Sequence, residues 1–273
     1  MASQWENLLQ NAGTWEGTFI RLSPEGAIAS QTPSRLCLEQ LGDRAARFEL
    51  TRFPADAPST THRNEFATLS RSVLFGNDGS FTKGSMQWSP VSDFGTEFGL
   101  TQPEARLRLV QMYQRGGELD YLVLITETRA GCDPVVRPTL TMEQLVGTWQ
   151  GEAVTYHQDW TVSSFPTHLT ITQTAPDTIA QTLTYGSSPA IASQGQRVGD
   201  RLLFTQSELS YQLLLLPHGG SSLCPQRIPR VTAFVCELGW LLNPTTRLRL
   251  VRQYDRTGAW LNQTWIKECK MAE

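Results

Sequence analysis

The sequence predicts an all-β protein built as a tandem duplication of two antiparallel β-barrels, each opened by a short helix. The motif Gly-Thr-Trp-Glu-Gly at 13–17 returns as Gly-Thr-Trp-Gln-Gly at 147–151. A second motif, Arg-Leu-Arg-Leu-Val, starts at Arg106 and returns at Arg247. Two motifs repeated in the same order at similar separations indicate a duplicated domain. Apolar and polar residues alternate between these motifs, as at 46–51, which is typical of strands with one buried face.

A capping box precedes each Gly-x-Trp motif. Ser3 is followed three residues later by Glu6, and Thr141 is followed in the same way by Gln144. In a capping box the two side chains bind the free backbone N–H groups at the start of a helix. The sequence therefore predicts one short helix at the beginning of each copy.

The connections between the apolar runs favour hairpins over helical crossovers. No long helical pattern separates the runs, and turn residues such as those at 76–79, Gly-Asn-Asp-Gly, lie between them. Antiparallel strands joined in this way favour a closed barrel in each copy. We predict an N-terminal barrel over 1–130, a proline-containing linker over 131–140 and a C-terminal barrel over 141–273.

The second copy carries a net insertion. The two tryptophans of the Gly-x-Trp motifs are 134 residues apart, whereas Arg106 and Arg247 are 141 residues apart. The residues Glu127 and Glu268, near the ends of the copies, also match at a separation of 141. We expect the inserted residues in two loops, Gly186–Arg197 and Pro217–Pro229.

Composition and charge exclude several classes of function. The chain of 273 residues has a net charge of −3 and no basic cluster, which argues against binding to nucleic acid or to anionic membranes. No apolar run approaches the roughly 18 residues of a membrane span, and no secretion signal begins the sequence. Five widely spaced cysteines favour reduced thiols in a cytoplasmic compartment, such as a cyanobacterial cytosol or a plastid stroma, over disulfides or a zinc site.

Catalytic motifs are missing from the sequence. It contains no Gly-x-Ser-x-Gly, no His-Glu-x-x-His and no phosphate-binding glycine loop, and its four histidines are scattered. We therefore predict no catalytic residue, no metal site and no required cofactor, and a non-enzymatic protein is favoured over an enzyme.

A helix, a Gly-x-Trp and a meander that ends on a strand with a basic residue resemble the calycin superfamily of lipocalins and fatty-acid-binding proteins. The resemblance implies that the tryptophan closes one end of the barrel and packs under a cationic side chain. The candidates for that cation are Arg129 in the first copy and Lys267 or Lys270 in the second. The residues that match the signature are Gly13, Trp15, Gly147 and Trp149.

Motifs of the second copy extend the resemblance. The segments at 216–220, 224–225, 237–241, 247–255 and 258–260 are similar to a two-barrel calycin family of cyanobacteria and plastids, domain of unknown function 3598. A plastid member of that family assists assembly of ATP synthase, and related single-barrel calycins are lyases that carry bilins to phycobiliproteins. The resemblance implies the fold over nearly the whole chain. It gives the activity only as an expectation, because such barrels host unrelated functions.

Four arginines alternate with leucine in the repeated motif and are candidates for ligand binding. If they point into a barrel they can hold a carboxylate by bidentate hydrogen bonds. Alternatively they face solvent or pair with Glu97 and Glu237, which is favoured because an unpaired buried arginine is costly and both copies share the pattern. Glu97 and Glu237 are also weaker acid–base candidates. The arginines are Arg106, Arg108, Arg247 and Arg249.

Features found in only one copy are further candidates for binding. The segment from His218 to Pro229 is predicted to form a mobile loop at a barrel mouth, where contacts with ligands and partners concentrate. Cys224 in this segment is a candidate reactive thiol, although an inert surface cysteine is favoured. Trp240 replaces Leu100 of the first copy and is a candidate for contact with a ligand or partner.

The sequence leaves more than one function open. The leading hypothesis is a non-enzymatic assembly factor for a photosynthetic or bioenergetic complex, with F1 subunits of ATP synthase as the partner that the resemblance implies. The alternative is a carrier of a small apolar, fatty-acid-like or tetrapyrrole (bilin) ligand, including a chromophore lyase acting on phycobiliproteins, and a lipid isomerase is a weaker third. A carrier needs an open cavity of roughly 300–1,000 Å³. An assembly factor needs an exposed patch instead.

Overall fold

Antiparallel strands build both halves of the molecule, as the alternating pattern predicts. The computed structural model describes residues 2–272. The first half comprises α1 (Gln4–Leu9), β1 (Gly13–Leu22), β2 (Ile28–Gly42), β3 (Ala45–Arg52), β4 (Thr60–Phe66), β5 (Val73–Phe75), β6 (Phe81–Gly84), β7 (Phe94–Thr101), β8 (Ala105–Tyr113) and β9 (Leu119–Arg129).

The second half has the same plan with one more strand. It comprises α2 (Met142–Leu145), β10 (Gly147–His157), β11 (Val162–Ala175), β12 (Thr178–Tyr185), β13 (Ile191–Val198), β14 (Arg201–Phe204), β15 (Tyr211–Leu215), a short 3-10 helix (Pro217–Gly219), β16 (Gly220–Pro225), β17 (Phe234–Asn243), β18 (Thr246–Tyr254) and β19 (Trp260–Lys270). The all-β class and the tandem duplication are confirmed. In the part of the chain described, no helix is long and apolar enough to cross a membrane.

Both predicted capping boxes are present. The backbone N–H of Glu6 donates to the Ser3 hydroxyl at 3.2 Å, and the N–H of Gln144 donates to the Thr141 hydroxyl at 3.4 Å. In return the side chains of Glu6 and Gln144 accept from the backbone of the capping residues. Each box fixes the start of the short helix that leads into the Gly-x-Trp strand.

The second half forms a closed barrel, whereas the first half is a curled sheet with an opening. Among the described residues, β10 to β19 hydrogen-bond in a ring, but the order β4-β3-β2-β1-β9-β8-β7-β6-β5 leaves β4 and β5 unpaired with each other. The prediction of a closed barrel is therefore confirmed for the second copy and wrong for the first. At the free edge of β5, the amide of Gln4 takes the place of a strand, since it accepts from Phe75 N at 2.7 Å and donates to Phe75 O at 2.9 Å.

The closing strand β14 is the insertion that the drifting separation predicts. Strand register aligns His62 with Ile191 and Val73 with Leu213. His62 and Val73 are 11 residues apart in the first copy, whereas Ile191 and Leu213 are 22 residues apart in the second copy. Strand β14 lies within the extra residues of the second copy. The predicted position in two loops was wrong, because 191–198 is strand β13 and 217–225 holds the 3-10 helix and β16.

The two halves pack against each other through a third apolar core. One core surrounds Trp15 and another surrounds Trp149, each inside its own half. Between them, the ring of Phe94 contacts Phe234 and Tyr254 with centroids 5.6 and 5.1 Å apart. Edge-to-face contacts of this kind add specific geometry to apolar burial. The molecule thus has two barrel interiors and one interface core.

Candidate functional site

The arginines of the first repeat motif lie inside the curled sheet and are paired with glutamates. Arg106 Nε donates to Glu127 Oε2 at 2.6 Å, and its Nη1 donates to Asn11 Oδ1 at 2.9 Å. Arg108 Nε donates to Glu97 Oε1 at 3.0 Å, and its Nη1 donates to Glu127 Oε1 at 3.2 Å. Two arginines and two glutamates therefore form one network without net charge.

The second copy repeats the network inside the closed barrel. Arg249 makes two 2.7 Å hydrogen bonds to the two oxygens of Glu237, and Arg247 Nε donates to Glu268 Oε1. Of the two alternatives that the sequence favours, pairing with Glu97 and Glu237 is present, whereas exposure to solvent is wrong because all four arginines are buried. The second acid of each network, Glu127 or Glu268, was recognised only as a repeated residue and not as a partner.

Burial and charge shift the pKa values of the first network in opposite directions. Burial lowers the pKa of Arg106, which also lies beside Arg108. Burial also lowers the pKa of Arg108, but the negative charges of Glu97 and Glu127 outweigh burial and raise that pKa above its ordinary value. Burial alone would raise the pKa of Glu127, yet the two guanidinium groups together hold it below its ordinary value. The two guanidinium groups therefore hold the Glu127 carboxylate in its charged form at neutral pH.

Two cationic side chains contact the ring of Trp15. The guanidinium carbons of Arg106 and Arg129 each lie 4.5 Å from the centroid of the indole ring. Gly13 has a φ of +115°, and a Cβ at this position would meet Arg129 Nη1 at 2.7 Å. The glycine is thus required both for the backbone conformation and for the approach of Arg129.

Trp149 has the same environment in the second copy. Arg247 lies over its ring at 4.8 Å, and the Lys270 ammonium lies 5.1 Å from the ring centroid. Of the two lysines that the resemblance suggested, the structure therefore places Lys270 on the tryptophan. Gly147 has a φ of +127°, which matches Gly13.

The curled sheet encloses a cavity of about 400 Å³, whereas the cavity of the closed barrel is about 50 Å³. In the closed barrel the side chains of Leu202 and Phe204 on β14 belong to the core, and the first half lacks that strand. The larger cavity opens at the exposed residues His62 and Lys83. Its apolar lining consists of Leu8, Leu36, Leu38, Phe48, Phe66, Leu69, Val73, Phe75 and Phe81.

A second cavity of about 320 Å³, here named the linker cleft, lies between the two halves. Its walls come from β1, β8 and β9 of the first half, from Cys132 and residues 134–137 of the linker, and from His218 and Trp240 of the second half. The cleft brings together three sequence candidates, Arg106, His218 and Trp240. It also adds Arg129 and Arg137, and sequence analysis had not singled out Arg137.

Trp240 is fixed in the wall of the linker cleft. Its Nε1 donates to the carbonyl of His218 at 3.1 Å, and Arg137 lies over its ring at 4.9 Å. His218 adopts a left-handed φ of +59°. Burial, and then the nearby charge of Arg137, lower the pKa of the imidazole. The imidazole is therefore neutral at pH 7, and the positive charge of the cleft comes from arginine.

Cys224 lies at the interface between the halves and is fully buried. Burial raises the pKa of its thiol to about 11, and burial also raises the pKa of the nearby Cys236 thiol. A thiolate at neutral pH is disfavoured there, so neither the reactive-thiol hypothesis nor the alternative of a surface cysteine fits this position.

Within residues 2–272 no group of three His, Cys, Asp or Glu side chains could hold a metal.

The segment from His218 to Pro229 is not a mobile loop at a barrel mouth. Residues 220–225 form β16, which pairs with β15 and β17 inside the ring. The register of Leu223 opposite Glu237 matches that of Lys83 opposite Glu97, so β16 corresponds to β6 of the first copy. The sequence motifs hid this equivalence because the two strands share almost no residues.

Comparison with solved structures gives a match over the whole chain. A protein of unknown function from the DUF3598 family of Nostoc punctiforme PCC 73102 is 37% identical, with 99% of this chain and 100% of that chain covered and a TM-score of 0.94. This chain belongs to the DUF3598 family. The family model for the N-terminal domain of DUF3598 matches residues 1–132. Residues 136–271 match the model described as Biogenesis factor required for ATP synthase 1, C-terminal domain.

A second solved structure is only weakly similar to this chain. The S-type phycobiliprotein lyase of Guillardia theta is 15% identical, with 48% of this chain and 90% of that chain covered and a TM-score of 0.39. A likeness at that level carries no argument about activity. The comparison with curated proteins gives no match.

Proposed function

We propose that this DUF3598 protein is a non-enzymatic assembly factor that binds subunits of ATP synthase. The observation that carries the proposal is the match of residues 136–271 to the C-terminal domain of a biogenesis factor required for ATP synthase. In this proposal the partner binds to the outer surface of the molecule and not inside a barrel.

The interior of the second half supports this assignment. Its cavity of about 50 Å³ is far below the roughly 300 Å³ that a small-molecule site needs. The arginines that could hold a ligand there, Arg247 and Arg249, are already engaged by Glu268 and Glu237. A domain with a filled interior acts through its surface, which is the behaviour of a protein-binding module.

A pull-down from native lysate with the tagged chain tests the proposal. We expect the α, β or γ subunits of ATP synthase to be enriched in the eluate, identified by mass spectrometry, while the eluate remains colourless. An unrelated tagged barrel serves as the control for non-specific capture. A coloured eluate that contains phycobiliprotein subunits and no ATP synthase subunit would overturn the assignment.

The cavity of the first half favours a second candidate, a carrier of a small apolar ligand. Its volume of about 400 Å³ lies within the range of ligand sites, and its lining is mainly apolar. The exposed Lys83 at its opening would attract an anionic end of the ligand, and the matching residue of the filled barrel is Leu223.

Binding of the fluorescent probe 1-anilinonaphthalene-8-sulfonate tests the carrier. If the cavity binds apolar anions, Leu36→Trp should fill part of it and weaken probe binding by tenfold or more. The matched variant Leu169→Trp, at the equivalent position of the closed barrel, should leave binding unchanged in protein that remains folded by circular dichroism. Equal binding by wild type and Leu36→Trp would exclude the cavity as the probe site.

A further inference from the structure

The linker cleft combines surfaces from both halves with residues of the linker. About 320 Å³ of space lies between β8 and β9 on one side and Trp240 on the other. Backbone hydrogen bonds hold the linker in place, because Gly219 N donates to Pro138 O at 2.9 Å and Leu140 N donates to Leu216 O at 3.0 Å. The wall formed by the linker is therefore part of the folded structure.

Two arginines of the cleft lack an acidic partner. Arg129 donates to the carbonyls of Pro103 and Ala12 at 2.9 and 2.8 Å, and Arg137 donates to the carbonyl of Leu242 at 3.0 Å. Within the described residues 2–272, neither arginine forms an ion pair with a carboxylate. Nη1 and Nη2 of Arg137 and Nη2 of Arg129 make no hydrogen bond within those residues, so guanidinium donors remain for an incoming anion.

The acids that line the cleft are already neutralised. Glu16 is paired with Arg35 at 2.6 Å. Glu127 is shared between Arg106 and Arg108 inside the first half. The cleft therefore keeps the two positive charges of its unpaired arginines, although the whole chain has a net charge of −3. A local field of this sign attracts carboxylates and repels cations.

Apolar side chains lie beside these charges. The ring of Trp240 forms part of the wall, and the linker residues Val135 and Val136 are 46% and 81% exposed at the rim. Tryptophan and arginine are the residues that most often dominate protein–protein contacts. Because the exposed valines extend the apolar surface beyond the cleft, it fits a protein segment better than a free small acid.

We propose that the linker cleft binds a segment of a partner protein that presents carboxylate side chains next to an apolar residue. The carboxylates pair with Arg129 and Arg137, and the apolar residue packs on the exposed Val135 and Val136, beside the buried Trp240. This inference rests on the proposed function, since the ATP synthase subunits are its expected source of such a segment. It adds the site and its chemistry, which the family match does not give.

The peptide acetyl-Leu-Glu-Glu-Leu-amide tests the cleft without any ATP synthase subunit. Its titration into ¹⁵N-labelled protein should shift the indole N–H resonance of Trp240, which the Trp240→Phe variant assigns. Arg137→Glu should abolish the shift, whereas Arg44→Glu, the same charge change on an exposed turn, should retain it. The matched peptide acetyl-Leu-Gln-Gln-Leu-amide should give no shift. Equal shifts with both peptides, no shift with either, or persistence in Arg137→Glu would overturn the proposal.

The same variants separate the cleft from the proposed function. With purified α, β and γ subunits, Arg137→Glu should lower the affinity at least tenfold relative to wild type and Arg44→Glu. If wild type binds these subunits and Arg137→Glu binds them equally well, the cleft is not the docking site and the proposed function stands. If wild type binds none of them, the proposed function fails, and the peptide titration alone decides the cleft.

Discussion

The guanidinium of Arg106 lies over the indole ring of Trp15, 4.5 Å from its centroid. The Nη2 atom of this arginine is buried without a hydrogen-bond acceptor, and the same is true of Arg247 over Trp149. The negative face of the indole ring takes the place of the missing acceptor. The Gly-x-Trp motif and the arginine motif, whose Trp and first Arg are 91 residues apart in the first copy and 98 in the second, are therefore parts of one structural unit.

Removing one member of the buried network should destabilise the protein strongly. Arg106→Leu leaves Glu127 with a single partner, and breaking a buried pair in this way costs about 3–5 kcal/mol. Arg35→Leu, which breaks the exposed pair with Glu16, should cost within about 1 kcal/mol. Urea denaturation of both variants measures the difference. Equal losses of unfolding free energy would contradict the buried network.

Stability should fall at acidic pH because of Glu127. Arg106 and Arg108 lower the pKa of this carboxylate in the folded state against the opposing effect of burial. Its contribution is fully present above the unfolded pKa of about 4.3 and is lost as pH falls through the lower folded value. Thermal unfolding of wild type and Glu127→Gln should therefore differ most near pH 7 and converge below about pH 4. Curves that remain parallel to pH 3 would refute this role.

The glycine of each Gly-x-Trp motif should not tolerate alanine. Gly13 has a φ of +115° and little space beside Arg129, so Gly13→Ala should lose more than about 1 kcal/mol of stability. Gly42 is the control, because its φ is not in the left-handed region and an added Cβ meets no atom within 4 Å. Gly42→Ala should be neutral or slightly stabilising in the same denaturation assay. A neutral Gly13→Ala would show that the motif is not required.

The buried thiols should resist alkylation in the folded protein. Cys224 has a pKa raised to about 11 by burial, and Cys236 is buried beside it, whereas Cys269 is exposed. Iodoacetamide at pH 8 should label Cys269 first and reach Cys224 and Cys236 only after unfolding. Peptide mass spectrometry reads the order. Rapid labelling of Cys224 in native protein would restore it as a reactive thiol.

The sequence predicts the duplicated fold because repeated motifs and strand alternation are local signals. It also favours arginines that face solvent or pair with Glu97 and Glu237, since both motifs are repeated, but it does not choose between these two alternatives. The open edge of the first half was missed, because closure depends on β14, a strand of four residues with no motif of its own. Packing between residues far apart in the sequence therefore determines whether each half closes into a barrel.

The candidate site was predicted less completely than the fold. Trp240 was found because it differs from Leu100, which is a comparison that the duplication makes possible. Arg137 was missed, since the linker has no counterpart in a repeat and its packing on Trp240 is a contact between residues 103 positions apart. Cys224 was taken for a loop residue because β16 and β6 share too few residues to align.

The most direct test of the central claim is reconstitution of F1 from separately purified α, β and γ subunits. The yield of assembled F1, measured as ATPase activity after native gel separation, should rise several-fold when this protein is added. The added protein should also co-migrate with a subassembly and not with the finished complex. An unchanged yield, without co-migration with any subunit, would contradict the assignment as an ATP synthase assembly factor.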